Sequence, residues 1–201
     1  MHYFYCDCYF RLLHMEKNLR QLKSNCLKIV LFGPESSGKT TLSKELANHY
    51  KTHWVKEYAR DYLQKKWNVE KKVCELEDLI PIAIGQIKLE NKLSKISEQL
   101  LICDTDLLET KVYSETYYDG YCDPLLEKYA LKNSYDLYIL TNIDIPWEKD
   151  DLRDKPNERE KMFDAFKETL IKYNRPYIEV SGSLSKRLVT ATKSINTLIN
   201  K

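Results

Sequence analysis

Short, nearly unbroken apolar runs recur along this chain, and the segments between them carry apolar residues at every third or fourth position. Leu27 to Phe32 contains a single Lys, and Gln99 to Asp104, Tyr135 to Leu140 and Tyr177 to Val180 have similar length and character. Such runs predict strands covered on both faces. His53 to Lys56 predicts a shorter second strand. Helical spacing extends from Lys39 to near Tyr50, with Leu42, Leu46 and Ala47 on one side, and from about Glu75 to Leu93, where Leu79, Ile82, Ala83, Gln86, Ile87 and Glu90 fall on adjoining positions. Pro81 is expected to kink this second helix near its first turns. Further helices are predicted over Asp106 to Tyr118, closed by the turn pair Asp119-Gly120, from Pro124 through Ala130, over Lys161 to Tyr173, and over Leu184 to Ile199. Alternation of this kind predicts an α/β fold: a parallel five-stranded sheet flanked by helices and joined by right-handed crossovers. Ligands in such sheets bind outside the C-terminal strand ends.

The first strand runs directly into Gly33-Pro34-Glu35-Ser36-Ser37-Gly38-Lys39-Thr40, which opens the helix beginning with Thr41. Strand, glycine-bounded loop and helix are the context in which this pattern forms a P-loop. Backbone N–H groups of the loop, continued by those at the helix N-terminus, converge on nucleotide phosphates. Gly33 and Gly38 permit the close approach, Lys39 brings a point charge to the β- and γ-phosphates, and the Thr40 hydroxyl is placed to ligate Mg²⁺. The chain is therefore expected to be a P-loop NTPase binding ATP or GTP.

The ends of the other strands supply the remaining candidates. Leu100-Leu101-Ile102-Cys103 delivers Asp104, a carboxylate able to hold Mg²⁺ directly or through water and also a possible base. Its neighbour is Thr105, where ATPases that drive motion usually carry a second acid. Thr141-Asn142-Ile143-Asp144 lacks the Lys and the spacing of a guanine-reading Asn-Lys-x-Asp run. Transfer to a bound hydroxyl is thus favoured over a switch or motor. Glu57, at the end of the second strand, is expected to face the acceptor side and take or orient the hydroxyl proton, with Arg60 neutralising phosphate charge. Asp106 is suited to ribose hydroxyls, and Tyr58 and Gln86 join it among the acceptor-binding candidates. Eleven of the fourteen residues from Glu148 to Lys161 are charged. In this place in the chain such a run is expected to form a short lid that closes over the phosphates, with Arg153 the first choice for the incoming arginine and Arg159 the second. Ser181-Gly182-Ser183, after the last strand, is placed to line the adenine.

Charge and composition narrow the partners. The 201-residue chain has 32 Lys and Arg against 30 Asp and Glu, for a net charge of +2. No polybasic surface argues for nucleic acid or a membrane, so the partner is expected to be a small molecule. Six cysteines without paired spacing predict reduced thiols and a cytoplasmic setting. His49 and His53 straddle a helix end and a strand start, and no structural metal is expected of them. Residues 1–26 are read as an N-terminal extension to a kinase domain over 27–201. Within the extension, the aromatic, Cys-rich residues Met1 to His14 resemble neither a signal peptide nor a membrane span, and Met15 is the expected initiator. An oligomeric state is not readable.

Five separated motifs also occur in one order: the P-loop through Leu42, Glu57-Tyr58-Ala59-Arg60, Asp104-Thr105-Asp106 with Thr110, Trp147 with Asp151-Leu152-Arg153, and Pro176-Tyr177-Ile178-Glu179. Together they resemble the ribosylnicotinamide kinase domain of the NadR-type NAD-biosynthesis proteins, over about Leu27 to Ile199. The resemblance implies ATP-dependent phosphorylation of nicotinamide riboside to nicotinamide mononucleotide, without the adenylyltransferase and DNA-binding activities of larger family members. One local departure is Lys56, where some relatives carry an aromatic residue. The pyridinium of that acceptor is a permanent cation that aromatic faces can hold, and Tyr58, Tyr117, Tyr118 and Trp147 are available. Tyr118 is the first choice for stacking and Trp147 the second. Kinases acting on other nucleosides or nucleotides, and a non-enzymatic ATP-binding module, are the alternatives.

Overall fold

A computed structural model describes residues 15–152 and 156–200. Its strands are β1 (Leu27–Phe32), β2 (His53–Val55), β3 (Leu100–Asp104), β4 (Leu137–Thr141) and β5 (Tyr177–Val180). The helices are α1 (Lys39–Tyr50), α2 (Tyr58–Glu70), α3 (Leu79–Ser94), α4 (Leu107–Tyr117), α5 (Pro124–Lys132), α6 (Arg159–Lys172) and α7 (Leu184–Ile199). All neighbouring strands are parallel, in the order β2-β3-β1-β4-β5. Leu31 of β1 is level with Asp104 of β3 and Ile139 of β4, so three strand ends open onto one edge of the sheet.

Alternate residues of each strand enter separate cores. Ile29, Leu31, Ile102 and Ile139 pack with Leu42, Leu46 and Ala47 of α1 and with Ala191 and Ile195 of α7. Val30, Phe32, Leu101, Cys103 and Leu140 face the other way, against Ala83 and Ile87 of α3, Leu108 and Val112 of α4, and Phe166 of α6. A sheet covered on both faces explains why its strands read as continuous apolar runs.

The differences from the sequence reading are local. β4 begins at Leu137 because Lys28 and Asp136 bond each other: the Lys28 N–H donates to Asp136 Oδ2 at 2.7 Å and the Asp136 N–H to the Lys28 carbonyl at 2.9 Å. The helix predicted from Glu75 starts as a 3₁₀ turn, Leu76–Asp78. Pro81 falls in the first turn of α3, where its missing N–H costs nothing. Arg159 opens α6 and is not part of an extended loop.

Helix α2 was not predicted, and it has no fully buried residue to give it a clear apolar face. Polar ties hold it instead. Asp78 Oδ2 accepts from Lys66 Nζ at 2.5 Å and from the Glu75 N–H at 2.8 Å, while Oδ1 accepts from the Tyr62 hydroxyl at 3.1 Å. Burial alone would raise the Asp78 carboxyl, but these donors outweigh it and hold it below its ordinary value. A carboxylate depressed on folding stabilises the fold above its unfolded pKa, near 4, and loses that contribution as pH falls through the lower folded value. Asp78→Asn is therefore expected to cost about 1–3 kcal/mol at pH 7. Urea melts of wild type and variant should converge in acid, and identical melts at pH 7 would show that Asp78 does not anchor α2.

Candidate functional site

The loop from β1 to α1 forms the floor of a cleft of about 430 Å³ at the C-terminal edge of the sheet. Gly33, at φ +137°, makes the first turn; a Cβ there would lie 2.9 Å from Thr141 Oγ1 and 3.1 Å from the Thr141 carbonyl, so the loop packs onto the end of β4 only without a side chain. Ser37 Oγ bonds the Pro34 carbonyl and the Thr141 hydroxyl, both at 2.6 Å, and so serves the loop's shape. Lys39 is buried, with Nζ donating to the carbonyls of Gly33 (2.6 Å) and Pro34 (2.9 Å) and lying 3.2 Å from Glu109 Oε1. Burial works against its ammonium, but the carboxylates of Glu109, Glu57 and Asp104 outweigh that and raise its pKa. Glu35, Ser36, Gly38, Thr40 and Thr41 complete the floor, whereas Gly33 and Pro34 are not among the residues lining it.

Asp104 is fully buried at the end of β3, and neither carboxylate oxygen has a hydrogen-bond partner of normal geometry among the described residues. Burial, then the negative charge of Glu57, pushes its carboxyl up to about 7, with the nearby Thr40 hydroxyl and Lys39 opposing. Two buried, donorless carboxylate oxygens beside a hydroxyl are an oxygen donor set that fits Mg²⁺, and Asp104 with Thr40 would hold it. Thr105 follows at φ +75°, an outlying conformation for a β-branched residue, and lines the cleft.

Glu57 caps α2 and lines the cleft, with Ala59, Arg60 and Leu63 beyond it. Arg60 Nη2 donates to Asp150 Oδ2 at 2.7 Å, which ties α2 to the charged stretch after β4. From the same stretch, the Glu148 N–H donates to Ser36 Oγ at 2.9 Å, and Asp151 and Leu152 line the cleft. This part of the expected lid thus lies over the P-loop, while Arg153 lies outside the described residues. The opposite wall is one face of α4, where Glu109, Tyr113 and Tyr117 recur at every fourth residue, together with Tyr118 and Cys74. The Tyr118 hydroxyl donates to the Cys74 carbonyl at 3.2 Å, leaving its ring at the cleft surface.

Several predicted site residues stand elsewhere. Asp106 is buried at the N-cap of α4: its Oδ1 accepts from the Glu109 N–H at 3.0 Å and its Oδ2 from the Tyr138 hydroxyl at 2.8 Å, so both oxygens are engaged inside the fold. Burial pushes its carboxyl up to about 6. Gln86 is buried on α3, and its Oε1 accepts from the Tyr58 N–H at 2.8 Å. The Tyr58 ring packs against α3 at Gly85, outside the cleft lining. Trp147 has its ring 5.7 Å from the Arg159 guanidinium, which itself donates to the carbonyls of Ile145 (3.0 Å) and Ser36 (3.1 Å); neither side chain is among those lining the cleft. Ser181 and Gly182 flank the P-loop on the side away from Glu57. There the buried Arg187 gathers the carbonyls of Gly182 (3.0 Å), Ser37 (2.6 Å) and Asn142 (2.9 Å) and pairs with Asp144.

Sequence reasoning missed Glu109, Tyr113 and Arg187. Asp106-x-x-Glu109 is a helix-start pattern, and Glu109 to Tyr113 to Tyr117 a single helical face, so both were visible in principle. Arg187 belongs to no motif. Among the described residues no group of His, Cys, Asp and Glu forms a further metal cluster, and no helix is long and apolar enough to cross a membrane.

Comparison with known proteins matches residues 28–187 to a family model described as AAA domain. The trifunctional NAD biosynthesis/regulator proteins NadR of Salmonella typhimurium and Escherichia coli are each 30% identical over 125 residues, 62% of this chain. That stretch is 30% of their own length, so the chain spans well under half of those relatives. A crystal structure of NadR in complex with NR superposes with a TM-score of 0.70 at 20% identity, over 88% of this chain and 52% of that one. A deoxyadenosine kinase from M. mycoides superposes at 0.64 and 19% identity, over 85% of this chain and all of that one. The fold is that of P-loop kinases.

Proposed function

We propose that this chain, which belongs to the AAA-domain family, is an ATP-dependent kinase that phosphorylates the 5′-hydroxyl of nicotinamide riboside. The carrying observation is the arrangement of the cleft: Lys39, Asp104 and Glu57 are close enough to perturb one another, and Tyr113, Tyr117 and Tyr118 line the same cleft. The similarity to NadR, and the NR bound in one NadR structure, supports the choice of acceptor.

In this reading the P-loop backbone and Lys39 hold the β- and γ-phosphates, and Glu57 accepts the proton of the attacking hydroxyl. The hydroxyl oxygen bonds the γ-phosphorus as the bond from that phosphorus to the β,γ-bridging oxygen breaks, and ADP leaves. Thr40 and Asp104 would hold Mg²⁺, which when bound would supply positive charge to offset that of the phosphates. The stretch that carries Glu148, Asp151 and Leu152 keeps water from competing with the hydroxyl.

The aromatic wall sets the specificity. An apolar pocket would strip the pyridinium of its hydration, and an aromatic face returns about 0.5–2 kcal/mol per contact. Nicotinamide riboside is expected to be used at least about tenfold more efficiently than uridine, cytidine or thymidine, with Tyr118→Ala narrowing the margin. ADP release across an acceptor panel measures this. The full-length likeness to a deoxyadenosine kinase favours a second reading, a kinase for neutral deoxynucleosides. Equal or better use of deoxyadenosine or a neutral pyrimidine nucleoside would select it, and no acceptor-dependent ADP release would point to a binding module.

A further inference from the structure

Helix α3 carries two residues whose placement the phosphate and acceptor sites do not explain. Gly85 lies in the middle of the helix, where glycine weakens it relative to alanine. A Cβ on Gly85 would fall 2.1, 2.3 and 2.4 Å from Cε1, Cδ1 and Cζ of Tyr58, so the tyrosine ring rests directly on bare helix backbone. Gln86, the next residue, is only 3% exposed, an uncommon place for an amide, and its Oε1 receives the Tyr58 N–H at 2.8 Å. Two consecutive residues of α3 therefore seize the ring and the backbone of the same tyrosine.

That tyrosine follows Glu57. As N-cap of α2, Glu57 makes no side-chain capping bond, so capping does not orient its carboxylate; the position of the 57–58 backbone does. The ties from Tyr62 and Lys66 to Asp78 lie one to two turns further along α2, and Arg60 is held by Asp150 from the loop side. α2 has no fully buried residue, and the other tie across its first turn, from Lys56 to Asp61, is an exposed ion pair of the kind that contributes little.

We infer that Gly85 and Gln86 are positioning residues that aim the Glu57 carboxylate across the cleft through Tyr58. The inference rests on Glu57 being the base. A displacement of about 1 Å at a reacting group can cost on the order of 10²-fold in rate. Gly85→Ala pushes the ring off its seat, and Gln86→Leu removes the acceptor while keeping the helix.

The test is a double-mutant cycle on the acceptor turned over best in the panel, with melting temperature as the check of folding. Each single variant is expected to lower kcat at least about tenfold with KM for ATP within about twofold of wild type. In a Glu57→Gln background neither should add a further loss, because the group they aim is already disabled. Losses that multiply with Glu57→Gln, or single variants within twofold of wild-type kcat, would overturn the inference. A silent Glu57→Gln would overturn the base assignment and this inference with it, whereas a strong Glu57→Gln with multiplicative doubles overturns the inference alone. Crystal structures give a readout apart from turnover: in either variant Glu57 should be displaced, and an unmoved Glu57 is a refutation. Gln86→Leu decides the matter if Gly85→Ala does not fold.

Discussion

Lys39→Ala is expected to lower phosphoryl transfer on the order of 10³-fold while the protein stays folded. The ammonium is buried in the P-loop, where the carboxylates of Glu109, Glu57 and Asp104 all act on it, and it lines the phosphate floor. Charge developing on the γ-phosphoryl oxygens during transfer has no substitute partner of that kind in the loop. The fold should tolerate the change, because Glu109, whose carboxyl burial already pushes well above its ordinary value, can take up a proton when its partner is removed. The shape of the loop also has other supports: Ser37 bonds Pro34 and Thr141, and Arg187 holds the Ser37 carbonyl. ADP release and a thermal melt on the same preparation are the measurements. Turnover near that of wild type would remove the P-loop from the mechanism.

Glu57→Gln is the second large effect, with kcat expected to fall on the order of 10²-fold or more and KM for ATP little changed. The amide keeps the size of the side chain and can still accept a hydrogen bond, but it cannot carry away the hydroxyl proton. Asp104 is the rival base, and the structure separates the two by their surroundings. Asp104 is completely buried, with oxygens that lack donors of normal geometry among the described residues and so suit a cation, while Glu57 lines the cleft. Steady-state kinetics of Glu57→Gln and Asp104→Asn at saturating Mg²⁺ resolve them. If Asp104→Asn gives the larger loss there and Glu57→Gln is nearly silent, the base is Asp104.

Read on its own, the chain already determined the centre of the parallel sheet, because a strand buried on both faces must be apolar at consecutive positions, as β3 and β4 are and β1 nearly is, while the edge strands β2 and β5 show this less clearly. The P-loop was equally legible, since Gly33, Lys39 and Thr40 act through local backbone geometry that sequence spacing specifies. Asp104 and Glu57 followed from strand ends, where topology alone sets direction. Helix α2 was not legible: it is held by Asp78 and by the face of α3, contacts between segments that no local periodicity records. For the same reason Asp106, Gln86, Trp147 and Arg159 looked like ligand contacts in the sequence, yet the fold turns Asp106 to Tyr138, Gln86 to the Tyr58 backbone, and Arg159 to the Trp147 ring and the Ser36 carbonyl. Arg187, which belongs to no motif, enters only in three dimensions. Which buried polar group meets a ligand and which meets the protein depends on where every nearby donor and acceptor ends up, and tertiary packing alone decides that.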